Sequence, residues 1–515
     1  MSRSDRKGRQ NQSGVSQPDR LPDDYPHWMK LALAGIITIG LVGMVAQALT
    51  HDVDPDEYEH LHASWLWSQG IKPYEGFFEH HPPLFWYVLR PLVNSFDKAN
   101  LTSLMVASRI VTASVATGLV AGCWWLFTGL FGRRAAWAGT AFFAMYCGVA
   151  PVVVELRPDV PSLTLLVFGT AMLVRGFATV RRSSGGWPTW SLVGGILVGA
   201  SVCMLTKSVF WTAGLFAALA LVSLRREQGQ DRREHLKCLS AAIVGMAIPA
   251  LLQIIWILAA SDWATFWHHN VTVNRGLSAS GLKNLPLSCA LWSGVFRWPM
   301  ISAPLAFLGL ASVFAGRRRT SSVNRTIILF LLASTIVLVL LANGPWPQYS
   351  IPLVLLLAGL AGAGWDTASM QLKLSGQAVC LSVLAAATIV WVLIMVILPI
   401  PARQGLRQSV EPLQKLLDMS NPGDTYLAMQ HWNPVYLMDA DPKLFTKLVA
   451  VWDKRTIGEF AEAIEATRPR FILGFQMSVW TGQGKYFKVG PESFPSIKDR
   501  YYNWDRTGYV LIRRQ

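Results

Sequence analysis

Ionisable and aromatic residues are concentrated in one segment, HDVDPDEYEHLHASWLWSQGIKPYEGFFEHHPPLFWYVL, which runs from His51 to Leu89. Its DPDE motif has two compatible interpretations. Asp54 followed by Pro55, with acids close behind, is typical of a helix N-terminus, where negative charge meets the positive end of the helix dipole. A carboxylate fixed at such a point, Asp56 or Glu57, could also act as a general base.

The helix that this motif begins is expected to end near Ser68, because Gly70 follows. Its apolar and aromatic residues would lie against the membrane interface, where aromatic side chains are enriched. These residues are Tyr58, Leu61, Trp65 and Leu66.

Two adjacent histidines precede two prolines in FFEHHPPL. Proline restricts the residue before it to extended backbone, so the chain itself orients His81. A lone histidine is more often structural, but His80 and His81 in a loop with three acids make anion or metal binding an equally good interpretation. No cofactor is required; a divalent cation is possible, with Asp56, Asp159 and His80 as its candidate ligands.

Similar residues recur in the later loops on the same side of the predicted membrane. Each has an ordinary structural explanation, such as an interfacial ion pair that caps a helix or a lysine that extends to the membrane surface. Their collection on one face predicts a site at the extracytoplasmic surface of the bilayer. The residues are Glu155, Arg157, Asp159, Lys207, His268, His269, Asn274, Arg275, Trp346, Gln348 and Tyr349.

The elements that must position these residues are predicted to be membrane helices. The chain has 515 residues, of which 52% are hydrophobic and 15% charged, whereas a soluble protein carries about a quarter charged residues. We expect about eleven spans, each needing roughly 20 apolar residues or fewer where the membrane thins. They are Leu31–Thr50, Ser103–Leu130, Ala136–Val154, Val160–Thr179, Ser191–Leu205, Val209–Leu224, Leu239–Ala260, Met300–Ala315, Thr326–Leu341, Ile351–Ala363 and Ala378–Ile400.

Lysines and arginines concentrate in alternate loops, which predicts a cytoplasmic N-terminus and an extracytoplasmic C-terminus. The net charge of +15 is therefore attributed to loops that hold the topology, and no nucleic-acid partner is expected. The six cysteines lie in or beside apolar runs and are interpreted as packing residues. The predicted location is the plasma membrane, the inner membrane if the protein is bacterial.

The predicted fold class is a mainly α, polytopic membrane protein with a small soluble C-terminal α/β domain. Residues 1–30 form a cytoplasmic tail, 31–400 a transmembrane catalytic domain with its first extracytoplasmic loop at 51–100, and 401–515 an extracytoplasmic accessory domain. In the last of these, NPGDTYLAM predicts a turn and a strand, TIGEFAEAIEAT a helix, and RFILGF and GYVLIRR two strands.

Four of these features together resemble the GT-C glycosyltransferases, and most nearly the protein O-mannosyltransferase and aminoarabinose transferase superfamily. They are the Asp-Glu pair after the first span, the sequence GIKPYEGFFEHHPPLFW, an Arg-x-Asp pair in the second outside loop and a Gln-Tyr-x-x-Pro turn. The resemblance covers roughly residues 30–400. It implies a multi-helix membrane fold, an extracytoplasmic active site, a polyprenyl-phosphate-linked sugar donor and inversion at the anomeric carbon.

By position, the resemblance makes Asp56 the catalytic aspartate with Glu57 beside it, and Asp159 the second-loop acid. His81 stands where relatives have a basic residue near the donor phosphate, although the aminoarabinose transferases have lysine there. Further expected donor-phosphate residues are Lys207 and Arg275. Other expected substrate-binding residues are Tyr74, His80, Arg157, His269, Gln348 and Tyr349.

The predicted function is therefore an integral-membrane, inverting glycosyltransferase that moves a sugar from a polyprenyl phosphate to a hydroxyl of a lipid, an envelope glycan or a protein. The alternative is a polytopic transporter or flippase for a lipid-linked or anionic substrate. A transporter is expected to place ionisable residues near the bilayer midplane, whereas the main charges inside the predicted spans, Arg109 and Arg175, can extend to a surface. A non-catalytic scaffold would have no use for the acid-rich first loop.

Overall fold

The structure is a computed structural model. It describes residues 24–179, 187–225, 232–273, 302–315, 320–341, 347–372, 374–393, 405–428, 435–439, 462–473, 478–481, 485–488, 501–503 and 510–513.

Each of the eleven predicted spans contains a helix in this described part of the chain. Six of the described helices are long and apolar enough to cross a membrane, and the others are shorter. The protein is thus a mainly α, multi-pass membrane protein, as predicted. The helices at the predicted spans are α1 (His27–Thr50), α4 (Leu101–Phe131), α5 (Arg133–Cys147), α6 (Asp159–Thr179), α7 (Trp187–Met204), α8 (Ser208–Leu224), α9 (Arg232–Ala260), α11 (Ser302–Phe314), α12 (Ser322–Leu341), α13 (Ile351–Ser369) and α14 (Leu374–Val392). The short helix α10 (Trp263–Trp267) follows α9.

Small residues let these helices approach closely, as is usual in membrane helix packing. A side chain added to Gly195 in α7 would collide with the carbonyl of Ala242 in α9. One added to Gly245 would collide with the carbonyl of Leu192. The α7–α9 contact therefore depends on glycine on both helices.

Two helices lie in the first loop, between α1 and α4: α2 (Pro55–Ser68) and α3 (Leu84–Asn94). The predicted start of α2 is confirmed. The Asp54 carboxylate accepts a hydrogen bond from the Asp56 amide (3.0 Å), and the Glu57 carboxylate accepts one from the Asp54 amide (2.9 Å). This reciprocal pair is a capping box, with Pro55 in the first turn. The predicted end is also confirmed, since α2 stops at Ser68 and Gly70 has a φ of +82°.

The apolar face of α2 contacts protein, and the prediction that it lies against the membrane interface is wrong for Tyr58 and Leu61. Both are fully buried in an apolar cluster that includes Val410, Tyr426 and Phe471 of the C-terminal region. The C-terminal region supplies a protein surface that the local pattern could not reveal.

The described C-terminal elements begin with α15 (Gly405–Met419). A five-stranded mixed sheet follows, with strand order β2-β1-β3-β7-β6, in which β1 pairs in parallel with β2 and β3. The three predicted strands are present, and residues 462–467 of the predicted helix are helical. The strands are β1 (Thr425–Ala428), β2 (Met438–Asp439), β3 (Phe471–Leu473), the β4–β5 hairpin (Ser478–Thr481 and Lys485–Lys488), β6 (Tyr501–Asn503) and β7 (Val510–Arg513).

Helix α15 is attached to the chain just before α2. The Val53 amide donates to Ser409 Oγ (3.2 Å), and the Gly405 amide donates to Asp52 Oδ1 (2.8 Å). Farther along α2, a hydrogen bond of 3.0 Å joins His62 Nε2 to the Tyr426 hydroxyl. The C-terminal region therefore helps to fix the helix that carries Asp56.

Candidate active site

Asp56, in the first turn of α2, forms an ion pair with Arg157 in the loop before α6. The same guanidinium lies 3.2 Å from a Glu155 carboxylate oxygen and 3.6 Å from one of Asp54. Only 12% of the Arg157 side chain is exposed, against 27% for Asp56. Burial lowers the pKa of Arg157, but the surrounding carboxylates, Asp56 first, raise it further, so its charge is permanent.

A second ion pair lies near the first. Asp159 begins α6, and its Oδ1 is 3.4 Å from Lys207 Nζ, in the turn between α7 and α8. The Lys207 ammonium is also 4.0 Å from the centre of the Tyr349 ring. Burial lowers the pKa of Lys207, but Asp159 and Tyr349 more than offset this, and its net pKa lies above the usual value.

Arg157 interacts electrostatically with both Asp56 and Asp159. The two aspartates predicted from separate loops therefore both lie near one guanidinium. Asp56, Arg157, Asp159 and Lys207 form two neighbouring ion pairs, which we call the charged row.

An apolar groove that is partly open to solvent lies beside Asp159 and Lys207, between the ends of α6, α8, α12 and α13. Asp159, Lys207, Gln348 and Tyr349 form its polar end. Its shape and lining suit a molecule with an anionic head and a hydrocarbon tail. The other walls are formed by Leu163, Leu166, Leu205, Ser208, Trp211, Leu338, Ile351 and Pro352.

Glu57 has a different environment from its neighbour Asp56. Its carboxylate is fully buried, forms a bidentate ion pair with Arg109 of α4, and accepts the amide of Leu156 at 2.9 Å. Arg109 also donates to the carbonyl oxygen of Asp52 (3.0 Å). These contacts join α2, α4 and the loop before α6, so we assign Glu57 a positioning role, not the role of a base. The prediction that Arg109 extends to a surface is wrong, because Glu57 neutralises it inside the protein.

The histidines lie in a group beside the charged row. His81 Nδ1 is 2.8 Å from Glu79 Oε1, and His80 Nδ1 is 3.3 Å from Glu59 Oε1. Burial lowers the pKa of His81 well below its usual value, although Asp56 and Glu59 act in the opposite direction. The lowered pKa favours the neutral form of His81 at physiological pH.

Tyr74 and His269 support this loop. Tyr74 has a φ of +66°, is buried, and donates from its hydroxyl to the His81 carbonyl oxygen at 2.9 Å. The ring centre of His269 lies 4.9 Å from that of Phe78. Arg275, the remaining predicted site residue, lies outside the described residues.

The predicted cation ligands Asp56, Asp159 and His80 are divided between two places. The two aspartates are neutralised by Arg157 and Lys207, and only His80 belongs to a group with the spacing of metal ligands. In the described part of the chain that group consists of Glu59, Glu79, His80 and His81.

Sequence reasoning did not assign roles to Glu59 or Glu79, and it missed the partnership of Glu57 with Arg109. Glu59 follows Asp56 by three residues, and Glu79 precedes the histidine pair, so helical spacing could have drawn attention to Glu59. No local signal connects Glu57 with Arg109, which is 52 residues away.

No protein-family profile and no curated protein sequence matches this chain. Solved structures do. ArnT from Cupriavidus metallidurans bound to undecaprenyl phosphate aligns with a TM-score of 0.61 and 16% identity, over 94% of this chain and 97% of ArnT. The oligosaccharyltransferase AglB from Archaeoglobus fulgidus, in complex with an inhibitory peptide and a dolichol-phosphate, aligns with a TM-score of 0.56 and 12% identity, over 95% and 75%. At these identities the likeness establishes the fold alone: the chain shares the fold of these two proteins, and it is a mainly α, polytopic membrane protein, as its sequence predicted.

Proposed function

We propose that this chain is an integral-membrane glycosyltransferase that moves a sugar from a polyprenyl-phosphate donor to a hydroxyl acceptor, with inversion, on the extracytoplasmic face. The observation that carries the proposal is that Asp56 and Asp159 both interact with Arg157, while Asp159 and Lys207 form the polar end of an apolar groove. Such a site holds a carboxylate, a fixed cation and an apolar surface within one binding region. The donor needs all three.

In this mechanism Asp56 removes the proton from the acceptor hydroxyl, whose oxygen attacks the anomeric carbon of the donor sugar. The bond from that carbon to the phosphate oxygen breaks, and the polyprenyl phosphate leaves with the electron pair. A single displacement inverts the anomeric centre. Arg157 orients the Asp56 carboxylate from one side, and the capping box fixes its backbone from the other.

Lys207 is the proposed phosphate-binding residue. Its ammonium lies at the polar end of the groove, and Asp159 and Tyr349 hold it there. A cation aimed at the leaving phosphate stabilises the charge that develops in the transition state. Gln348 and Tyr349, also at this end, are proposed to contact the donor head group, and Arg275 remains a proposed second cation for the phosphate.

The lipid-linked donor has support from the neighbouring structures, which contain undecaprenyl phosphate or a dolichol-phosphate. Lipid, envelope glycan and protein are the acceptor classes we propose, since each can present a hydroxyl at the membrane surface. The basic residues in alternate loops support a cytoplasmic N-terminus, and with it the proposed position of the site on the extracytoplasmic face.

The function can be tested with the full-length protein in lipid nanodiscs. The protein is given a panel of polyprenyl-phosphate sugars that carry a radiolabelled sugar, with and without membrane acceptors. The products are then separated from the unreacted donor. The proposal predicts release of polyprenyl phosphate with at least one sugar and an inverted product. A panel that leaves every donor intact, with folded protein and native acceptor membranes, would contradict it.

The transporter alternative has a specific discriminating outcome. A flippase would move the lipid-linked sugar between the leaflets of a proteoliposome and leave the bond between sugar and phosphate intact. A transporter is expected to have ionisable residues available near the bilayer midplane. Among the described residues, Arg109 lies in a membrane helix but is neutralised by Glu57, and the charged row lies at helix ends. This distribution favours an enzyme.

A further inference from the structure

Four potential metal ligands from two elements of the first loop point towards one another. Glu59 lies on α2, and Glu79, His80 and His81 lie in the segment just before α3. One possible ligand atom from each residue lies within 4.8 Å of all the others. Glu59 is 3% exposed and Glu79 fully buried, so the carboxylates converge in the interior of the protein.

The carboxylate of Glu79 is only partly satisfied by its hydrogen bonds. Its Oε1 accepts the His81 amide at 3.0 Å, and lies 2.8 Å from His81 Nδ1 and 3.9 Å from His80 Nδ1. Its second oxygen, Oε2, is buried without a hydrogen bond to any described residue. A buried carboxylate oxygen left in this state is costly, and a bound cation would satisfy it.

The electrostatic environment also favours a cation. Two carboxylates, Glu59 and Glu79, meet in one buried group, and a cation between them would offset their mutual repulsion. The residues facing Glu79 are Glu59, His60, His80 and His81. Imidazole nitrogens, which His80 and His81 add to the group, are common metal ligands.

We propose that Glu59, Glu79, His80 and His81 bind one divalent transition-metal ion of the Zn²⁺ type. Two imidazole nitrogens and two carboxylate oxygens form a ligand set that zinc accepts in tetrahedral geometry. Ligand atoms around tetrahedral zinc are roughly 3.3 Å apart, so small rotations of these side chains are needed to close the site. The ligands of this ion are different residues from the proposed base and phosphate residues, Asp56 and Lys207, which pair with Arg157 and Asp159.

The surroundings provide the support that metal ligands usually need. The Tyr74 hydroxyl holds the His81 carbonyl oxygen, and the two prolines after His81 fix the backbone. The His60 ring packs edge-on against His81 with 4.8 Å between ring centres. The ion would thus join the segment containing Tyr74 and His81 to α2, whose first turn carries Asp56. This proposal does not depend on glycosyl transfer.

Metal content tests the proposal. The full-length protein is purified without a polyhistidine tag, loaded with zinc, dialysed, and analysed by inductively coupled plasma mass spectrometry. Cobalt(II) then serves as a spectroscopic probe, because a tetrahedral site gives intense visible absorption bands. We expect one ion per chain and a tetrahedral cobalt spectrum.

Variants assign the ligands. Glu79→Gln should lose the ion and the cobalt spectrum. The side chain of His80 is 18% exposed, so its replacement disturbs folding less than replacement of the buried Glu79. His80→Gln should weaken zinc binding by at least about tenfold, and it keeps the test valid if the Glu79 variant does not fold. His268→Gln is the matched control, because His268 is an exposed histidine outside the group, and it should retain wild-type affinity.

The opposite results would overturn the proposal. They are wild-type protein that retains no zinc after dialysis and shows no tetrahedral cobalt spectrum, or a His80→Gln variant that binds zinc as tightly as the control. Either would mean that the four residues share protons and hydrogen bonds only.

Discussion

Replacing Glu57 with glutamine tests whether this residue positions the first loop. The substitution preserves shape but removes the negative charge, so Arg109 remains as an uncompensated cation. Both side chains are fully buried, and water cannot screen the loss. Breaking one partner of a buried pair costs about 3–5 kcal/mol, and the Glu57 carboxylate also accepts the amides of Asp54 and Leu156. We therefore expect the upper half of that range.

The assay is unfolding of the purified protein in mixed micelles of a mild detergent and sodium dodecyl sulfate, followed by circular dichroism. Glu411→Gln is the matched control, since Glu411 pairs with Lys415 on the surface of α15 with 52% and 57% of the side chains exposed. That variant should change the free energy of unfolding by less than about 1 kcal/mol. Combining Glu57→Gln with Arg109→Met should restore much of the lost stability. A Glu57→Gln variant as stable as the control would refute the positioning role.

Three further predictions concern the phosphate cation, pH and the C-terminal contact. Lys207→Met should lower kcat/KM for the donor by about 10- to 100-fold, because a charge-assisted contact with the phosphate is lost. The control Lys415→Met, at an exposed lysine, should leave kcat/KM unchanged. Equal kcat/KM values for the two variants in a donor titration would contradict the prediction. Burial, opposed by Arg157, raises the pKa of Asp54 to about 6, so the folded protein holds this proton more tightly than the unfolded chain and loses stability as pH rises from about 4 to 6. Asp54→Asn keeps the helix cap, and its stability relative to wild type should therefore increase over that interval by up to about 3 kcal/mol; a constant difference in unfolding free energy would contradict the assignment. Ser409→Ala removes the acceptor of the Val53 amide and should speed amide hydrogen exchange at the start of α2, while the exchange rate of α13 stays unchanged. An unaltered exchange rate at α2 would mean that α15 does not hold this loop.

The membrane helices and the start of α2 were predictable because their causes are local. Apolar runs of sufficient length predict spans, and Asp54-Pro55-Asp56-Glu57 contains all the residues of a capping box. The strand at Thr425–Ala428 likewise follows a turn signal in its own sequence. Each of these features depends on residues that are close together in the chain.

The features that sequence missed depend on contacts between distant segments. The Glu57–Arg109 pair joins positions on different helices, so each charge taken alone looked like a base or a surface residue. Burial, which no spacing shows, favours the neutral form of His81. The apolar face of α2 was expected at the membrane interface because the C-terminal elements that cover Tyr58 are more than 300 residues away in the chain.

The most direct test of the proposed function is the turnover of a polyprenyl-phosphate sugar by Asp56→Asn. The variant removes the proposed base but keeps the size of the side chain, and an unfolding transition is measured alongside to show that the protein is folded. Loss of general-base catalysis should lower kcat by about 10²- to 10⁴-fold. Folded Asp56→Asn protein that transfers sugar at close to the wild-type rate would contradict the assignment of Asp56 as the base.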